Sequence, residues 1–274
     1  MPLRNLKVDP SAGKDAPPSP QRSLDRPTAS EIYEQVARNA RRELTRPWRA
    51  LAISGVVGGL TMGLTGLSVS VVTAIVGNAP WAQFVALMLY PMGFMAVIIG
   101  RAQLFTENTL YPVALILAER RHFWITLRLW GIVFPSNIAG ALLFAVLAAR
   151  TKALLPATLH ALTQMGMAAA APSPRHVFWS AVVGGWMIAM VAWLVSGSHS
   201  ITGSVALIWL LTFVVGVGHF AHCVATSGEI LAAVLSHAIP ASAYFRWLLP
   251  ATLGNICGGV ILVTLLEYGQ VKLD

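Results

Sequence analysis

Two histidines and a glutamate interrupt an otherwise apolar stretch, residues 215–235. His219, His222 and Glu229 stand there among glycines and small polar residues, in a sequence, VGVGHFAHCVATSGEILAAVL, that otherwise has the composition of a membrane span. Ionisable side chains are costly in the hydrocarbon of a bilayer, and they usually line a pathway or pair inside a helix bundle. The glycines predict a helix that breaks where the polar groups lie. We therefore interpret this stretch as half of a pore.

A second long apolar segment, residues 82–117, has the same character. Its middle contains five polar residues: Arg101, Gln103, Thr106, Glu107 and Asn108. This segment and residues 201–235 both exceed the ~20 residues that cross ~30 Å of hydrocarbon as a simple helix. Irregular backbone at membrane depth is tolerated only where protein or water covers it. The pattern predicts two broken helices.

The composition places most of the chain in a membrane. Of 274 residues, 56% are hydrophobic and 11% charged, with a mean hydropathy of +0.67, which is too apolar for a soluble domain of this size. Six apolar segments are predicted as transmembrane helices: residues 50–76, 82–117, 123–149, 176–196, 201–235 and 244–268. Cys223 and Cys257 share no metal-ligand or redox spacing, so we interpret them as small core residues.

The basic residues predict an orientation. Ten of the nineteen Lys and Arg residues precede Ala50, which is typical of a membrane flank and not of a nucleic-acid-binding face. With six spans both termini share a side, and Arg120 and Arg121 fall on that side too. The positive-inside rule therefore predicts cytoplasmic termini. We expect the membrane to be a bacterial inner membrane.

Four parts of the chain are predicted. Residues 1–27, with scattered prolines and charges, form a disordered cytoplasmic tail. Residues 28–46 form an amphipathic juxtamembrane helix that opens with a Thr28–Glu31 capping box and either lies on the inner membrane surface or packs on the bundle. Residues 47–268 are the transmembrane pore domain, and residues 269–274 are a cytoplasmic C-terminal tail. The connection 150–175 predicts a short interfacial helix on the outer side.

An internal repeat divides the pore domain. The string SGVVGG that begins at Ser54 recurs as SAVVGG from Ser180, and NIAG from Asn137 recurs as NICG from Asn255. The two matches keep their order, their rough offset and their place within spans. Each half has three spans, so the second half enters the membrane upside down relative to the first. Paired broken helices in inverted repeats predict a site near the midplane, between the breaks.

These residues give the chain a resemblance to the formate/nitrite transporter family. The motifs that carry it are LFT at residues 104–106, His222, and the Asn-x-x-Gly patterns at Asn137 and Asn255, and the strings QLFTENT at 103–109 and GHFAH at 218–222 are most similar to the divergent YfdC-type branch. The resemblance covers residues 47–266. It implies an all-α, aquaporin-like fold of six transmembrane helices in two inverted three-helix repeats, with the second and fifth helices broken. It also implies a homopentamer in which each protomer has a pore for small monovalent anions of weak acids, such as formate or nitrite.

The resemblance assigns roles to residues of this chain. It implies that His222 is the pore histidine and that Thr106 hydrogen-bonds near it. A bare anion is costly in an apolar constriction and its neutral acid is far less so, so His222 is expected to donate or stabilise the transferred proton, with Thr106 fixing its tautomer. The implied constriction consists of Leu104, Phe105 and Val215. Asn137 and Asn255 are implied to lie on the pathway, or to hold helices together by hydrogen bonds.

Several positions depart from the family pattern. The family's glutamate before the pore histidine and asparagine four residues after it are here Ala221 and Thr226, and Ser204 replaces an expected lysine. Four ionisable residues of the broken helices are additional: Arg101, Glu107, His219 and Glu229. Either Arg101 or His219 selects an anion, with Glu107 and Glu229 modifying the pathway at comparable places in the two halves, or Arg101 pairs with a glutamate and locks the helices.

The leading prediction is a channel or transporter, and not an enzyme, for small weak-acid anions. Its expected partners are the substrate, the lipid bilayer and identical subunits, and no cofactor or metal is expected, because the sequence has no nucleotide-binding loop and no metal-ligand cluster. A pore for a small neutral solute is the first alternative, although paired Asn-Pro-Ala motifs are missing from the sequence. A non-conducting membrane sensor or structural protein, or a membrane enzyme, is the second.

Overall fold

The computed structural model describes residues 27–120 and 122–273, and all regular structure in them is helical. The helices are α1 (Ala29–Thr45), α2 (Trp48–Val76), α3 (Pro80–Leu87), α4 (Met92–Ile99), α5 (Tyr111–Glu119), α6 (Phe123–Arg150), α7 (Pro156–Ala170), α8 (Pro174–Gly197), α9 (Ile201–Val217), α10 (Ala225–Leu235), α11 (Ala241–Cys257) and α12 (Leu266–Leu273). A 3-10 turn spans Glu107–Thr109, and a π-helical stretch, Gly258–Leu265, joins α11 to α12. The predicted N-terminal tail lies, apart from Pro27, outside the described residues.

Five stretches of the described chain are long and apolar enough to cross a membrane: Trp48–Val76, Pro80–Ile99, Phe123–Arg150, Pro174–Gly197 and Ala241–Leu273. The fifth predicted span, residues 201–235, consists instead of the two shorter apolar helices α9 and α10. α12 continues to Leu273, so residues 269–273 of the predicted C-terminal tail are helical.

Both long apolar segments are interrupted, as their polar residues predict. The helical first part of each ends shortly before a residue with left-handed backbone: Arg101 has φ 60° after α4, and His219 has φ 50° after α9. Non-glycine residues rarely adopt this conformation, so both breaks are specific features of the fold. The two residues are 118 positions apart, which equals the offset between Asn137 and Asn255.

Glycine allows the helices that carry the repeat motifs to pack closely. α2 packs along α6, and α8 packs along α11. A Cβ on Gly59 would overlap the backbone carbonyl of Asn137, and a Cβ on Gly185 would overlap that of Asn255. Only glycine permits this approach, and it brings each asparagine next to the break in its own half.

Two further helices, α1 and α7, occupy corresponding places. α1 begins with the predicted capping box, in which Glu31 N–H donates to Thr28 Oγ1 at 3.2 Å and Thr28 N–H donates to Glu31 Oε2 at 2.8 Å. It buries Val36 and Leu44 and packs against α5 and α8, which supports the bundle-packing alternative. α7 lies in the predicted helical connection and packs against α10 and α2, with Leu162 fully buried. It is therefore a part of the bundle and not simply a surface helix.

Candidate functional site

The two breaks are held by a matching pair of asparagines. Asn137 on α6 accepts a hydrogen bond from Phe105 N–H at 2.8 Å and donates to the carbonyls of Gly55 and Gln103 at 2.7 and 2.9 Å. Both N–H bonds of its amide are therefore engaged with backbone. A buried polar backbone group without a partner costs roughly 1–3 kcal/mol, so the amide stabilises the loop between α4 and α5.

Asn255 on α11 makes the same three contacts in the second half. It accepts from Cys223 N–H at 2.8 Å and donates to the carbonyls of Ala181 and Ala221 at 2.8 and 2.9 Å. Both asparagines are fully buried. Their role as loop clamps follows from these bonds, whereas their predicted place on the pathway stays a prediction.

A serine supports each loop as well. Ser54 Oγ accepts from Gln103 N–H and Ser180 Oγ accepts from Ala221 N–H, each at 3.1 Å. These serines open the repeated strings of α2 and α8, so the sequence repeat corresponds to an equivalent set of loop contacts in the structure.

Between the two loops, Thr106 and His222 meet. Thr106 Oγ1 lies 2.8 Å from His222 Nε2, and both side chains are buried. His222 Nδ1 accepts the backbone N–H of Ala225 at 3.0 Å, at the first turn of α10. Because Nδ1 is an acceptor, the neutral ring carries its proton on Nε2 and donates it to the threonine oxygen. The backbone of α10 thus sets the tautomer, contrary to the prediction that Thr106 sets it.

Aromatic rings that the sequence reasoning missed surround this pair. The ring of Phe94 on α4 stands edge-on to the His222 ring, with centroids 5.1 Å apart. Tyr90, in the link between α3 and α4, contacts Phe94 with ring centroids 5.9 Å apart. Aromatic residues in an apolar span give no periodic or polar signal, so no sequence pattern singles them out.

The three predicted constriction residues Leu104, Phe105 and Val215 are all buried. The Phe105 ring contacts Phe134 and Trp130 of α6, with centroids 4.8 and 5.6 Å away. Its packing therefore anchors the first loop to α6. A narrowing role for the three residues remains a prediction.

A cavity of about 560 Å³ opens beside the first loop, at the α1 end of the bundle. Residues of α1, the loop and the α8–α9 connection line it, among them Arg42, Arg101, Glu107, Tyr111 and Ser204. Its lining is polar and carries both signs of charge.

No ion pair between described residues supports the ion-pair alternative for Arg101, and both alternatives stay predictions. Arg101 is exposed in the cavity, and none of the ion pairs between described residues includes it. Its left-handed backbone at the end of α4 turns the chain there, so its side chain projects into the cavity without a carboxylate partner within 4.0 Å. Glu107, which lines the same cavity, is buried.

A different charged residue, Glu43 of α1, reaches the first loop. Its Oε2 accepts from Gln103 Nε2 at 2.8 Å and from Arg46 Nη1 at 2.9 Å, and Asn108 Nδ2 donates to Gln103 Oε1 at 3.0 Å. The amphipathic helix is thus tied to the pore loop. Sequence reasoning missed the Glu43–Gln103 contact, because Glu43 is one of several charged residues on α1 and the sequence does not indicate a partner for it.

The remaining two ionisable residues lie in different surroundings. His219 is exposed, and its carbonyl accepts from Ser180 Oγ at 3.4 Å. Glu229 is buried in α10. The offset of 118 relates Glu229 to Tyr111, so the expectation that Glu107 and Glu229 occupy comparable places stays a prediction.

The chain is similar to known membrane proteins over most of its length. The family model described as "Formate/nitrite transporter" matches residues 30–269. The chain belongs to the formate/nitrite transporter family. The family match confirms the resemblance. The chain is also 29% identical over 249 residues to "Inner membrane protein YfdC" of Escherichia coli (strain K12), and the match covers 90% of this chain and 80% of that protein.

Other members of the formate/nitrite transporter family match over similar lengths. The "Probable formate transporter" of Methanothermobacter thermautotrophicus is 29% identical over 246 residues, 81% of this chain and 89% of that one. A solved "FNT family ion channel" has a TM-score of 0.76 at 19% identity, covering 88% of this chain and 98% of that one. A "Pentameric formate channel with formate bound" has a TM-score of 0.68 at 17% identity, covering 86% and 99%. The chain therefore has the fold of these channels, and its named relatives are transporters or channels, not enzymes.

As a formate/nitrite transporter family member, the protein is a membrane transporter. Within residues 27–120 and 122–273, no His, Cys, Asp and Glu side chains form a group of three that could hold a metal ion.

Proposed function

We propose that this chain is a pore for small monovalent anions of weak acids, such as formate or nitrite, and that they pass the Thr106–His222 pair as the neutral acid. The observation that carries this proposal is the buried 2.8 Å contact between Thr106 Oγ1 and His222 Nε2, with His222 Nδ1 already accepting from backbone. Family membership supports anion transport, and relatives named as formate transporters or channels support formate-type substrates.

The hydrogen-bond directions favour the neutral acid. His222 Nε2–H donates to Thr106 Oγ1, which leaves the threonine hydroxyl proton free to donate to an oxygen of the solute. The imidazole is neutral, and no ion pair between described residues includes His222. A bare anion there would lose its hydration without a compensating charge, whereas the acid loses much less.

This arrangement changes the role expected for His222. Its Nδ1 holds no proton, and its Nε2 proton is the only one the neutral ring carries. Giving it up would leave an imidazolate, so His222 acts as a hydrogen-bond donor through Thr106 rather than as the source of the transferred proton.

The two halves of the protein are proposed to be inverted repeats that together form six spans, with the second and fifth spans broken. The equivalent contacts of Asn137 and Asn255, and of Ser54 and Ser180, support this relationship. The offsets also relate α7 to α1, so each half begins with a packed helix. The N-terminal charges support cytoplasmic termini in a bacterial inner membrane. The likeness to a pentameric channel supports a homopentamer.

Flux into proteoliposomes tests the proposal. We expect uptake of formate or nitrite that steepens as the outside pH falls, and a lower rate with His222→Asn or His222→Ala. His160→Asn, a substitution of an exposed histidine on α7, is the matched control and should transport like the parent. Equal permeability to uncharged polyols would favour the neutral-solute alternative. Unchanged rate and pH dependence in both His222 variants would overturn the role of the pair.

A further inference from the structure

Glu229 lies inside the most enclosed helix of the bundle. Residues 225–233 of α10 are all buried, and Glu229 is 5% exposed. Its Oε1 has no hydrogen-bond partner among the described residues. A Cβ added to Gly66 of α2 would lie 3.2 Å from that oxygen and 3.1 Å from Leu162 Cδ1 of α7. The carboxyl is therefore packed between α2, α7 and its own helix.

No charge compensates the carboxyl. α2 presents Gly63 and Gly66 to α10, α6 presents Phe144, and α7 presents Leu162 and Gly166. The titratable group that faces it from another described element is Tyr90. None of the ion pairs between described residues includes Glu229. An ionised carboxyl buried alone costs several kcal/mol, so this packing favours the protonated form.

Glu229 follows His222 along one line of side chains. His222, Thr226 and Glu229 are spaced by four and three residues, which places them on one side of α10 and its first turn. Phe94 connects Tyr90, which faces Glu229, to the His222 ring. In the first half, the residue equivalent to Glu229 is Tyr111, which lines the cavity at the α1 end. Glu229 thus occupies the position of a lining residue at the α7 end.

We propose that Glu229 supplies the proton to anions that enter from the α7 end of the pore. The O–H bond of the Glu229 carboxyl breaks as a new O–H bond forms on the anion, which leaves a neutral acid and a Glu229 carboxylate. The carboxylate then takes a proton from water on the α7 side, where hydronium is the proton source. The acid moves on to the Thr106–His222 pair, and each anion enters with one proton. Transport in the opposite direction reverses the steps.

This inference rests on the proposed function, because it requires passage as the neutral acid. It also supplies the proton source that this function lacks, since His222 could give up its Nε2 proton only by becoming an imidazolate. Because Glu229 gives one proton to each anion, we expect proton-coupled transport rather than free conduction of the anion.

The pH dependence of formate uptake in Glu229→Gln separates this role from a structural one. At pH 7 we expect the variant to be about 100-fold slower than the parent, at the low end of general acid catalysis. The ratio should shrink as the outside pH falls, because more formate then enters already protonated. Glu267→Gln on α12, away from both ends of this line of side chains, is the matched control and should follow the parent at every pH. A constant ratio across pH, or parental uptake, would overturn the proposal.

A second measurement uses the parent protein and needs no folded variant. Dicyclohexylcarbodiimide reacts with protonated carboxyls in apolar surroundings, and mass spectrometry locates the adduct. We expect an adduct on Glu229 together with loss of uptake. An adduct on Glu107 with Glu229 unmodified would contradict the proposal. If the parent carries no weak acid at all, the proposed function fails too; if it does, and Glu229→Gln matches it, only the role of Glu229 fails.

Discussion

Thr106 Oγ1 and His222 Nε2 lie 2.8 Å apart although 116 residues separate them in the chain. One belongs to the loop after α4 and the other to the loop after α9, so this bond joins the two broken segments. The backbone N–H of Ala225 fixes the direction of the bond by occupying His222 Nδ1. This polar pair is therefore made by both halves of the protein and by the first turn of α10.

Removing the threonine hydroxyl should slow transport. Thr106→Val keeps the shape of the side chain but leaves the Nε2–H of His222 without an acceptor, which costs roughly 1–3 kcal/mol. We expect about a tenfold lower rate of formate uptake into proteoliposomes, since 1.4 kcal/mol corresponds to a factor of ten. Thr106→Ser retains the hydroxyl and should keep most of the rate. Equal loss in both variants would show that packing, and not the hydroxyl, matters.

The asparagine clamps should be required for stability in both halves. Asn137→Ala and Asn255→Ala each remove the side-chain partner of one loop carbonyl, one helix carbonyl and one loop N–H, at roughly 1–3 kcal/mol for each buried group left unpaired. We expect a clearly lower melting temperature of the detergent-solubilised protein, similar in the two variants. Ser136→Ala is the matched control, because the Ser136 hydroxyl bonds only the Ile132 carbonyl of its own helix. A parental melting temperature in either asparagine variant would contradict the clamp role.

Arg101 should affect uptake without affecting folding. Because it is in no ion pair between described residues and projects into the cavity, Arg101→Ala should leave the yield and size of the purified oligomer unchanged. Loss of its charge should slow anion uptake by up to about tenfold at low ionic strength, and less at high salt, since screening weakens attraction at a distance. Arg101→Lys should behave like the parent. Collapse of the oligomer in Arg101→Ala would restore the structural alternative.

The capping box of α1 should make that helix sensitive to acid. The backbone N–H and hydroxyl of Thr28 bond the Glu31 carboxylate and hold its pKa below the ordinary value of 4.5. A lowered folded-state pKa means that the contribution to helix stability is present above pH 4.5 and is lost as the pH falls through the lower value. Carbon-detected NMR titration of the Glu31 carboxyl measures its pKa. Thr28→Ala should move the Glu31 pKa upward, whereas Thr45→Ala, at the other end of α1, should not.

Much of the broken-helix architecture was predictable from the sequence, because a bilayer allows few arrangements. Polar residues and glycines inside two segments too long for one crossing require interrupted helices, and both interruptions are present. The repeated strings identified the residues that hold the breaks. The sequence also singled out His222 and Thr106, and the fold joins them directly.

The contacts across the bundle were not predictable in this way. Tyr90 and Phe94 lie beside His222, and Glu43 reaches Gln103, through packing between elements that no local pattern records. The absence of a partner for Arg101 among the described ion pairs has the same origin, because its left-handed backbone depends on how α4 ends.

By itself, the sequence determined the membrane class, the breaks and the residue types that meet between them, because composition and spacing are sufficient for these in a bilayer. The motifs around Thr106, His222 and the two asparagines carried the resemblance to the family. Only the tertiary structure decided which atom of each residue is used. Backbone groups of α10 determine the His222 tautomer, and the loop carbonyls engage the amide protons of Asn137 and Asn255. Hydrogen-bond direction depends on geometry between distant segments, and a linear pattern does not contain that geometry.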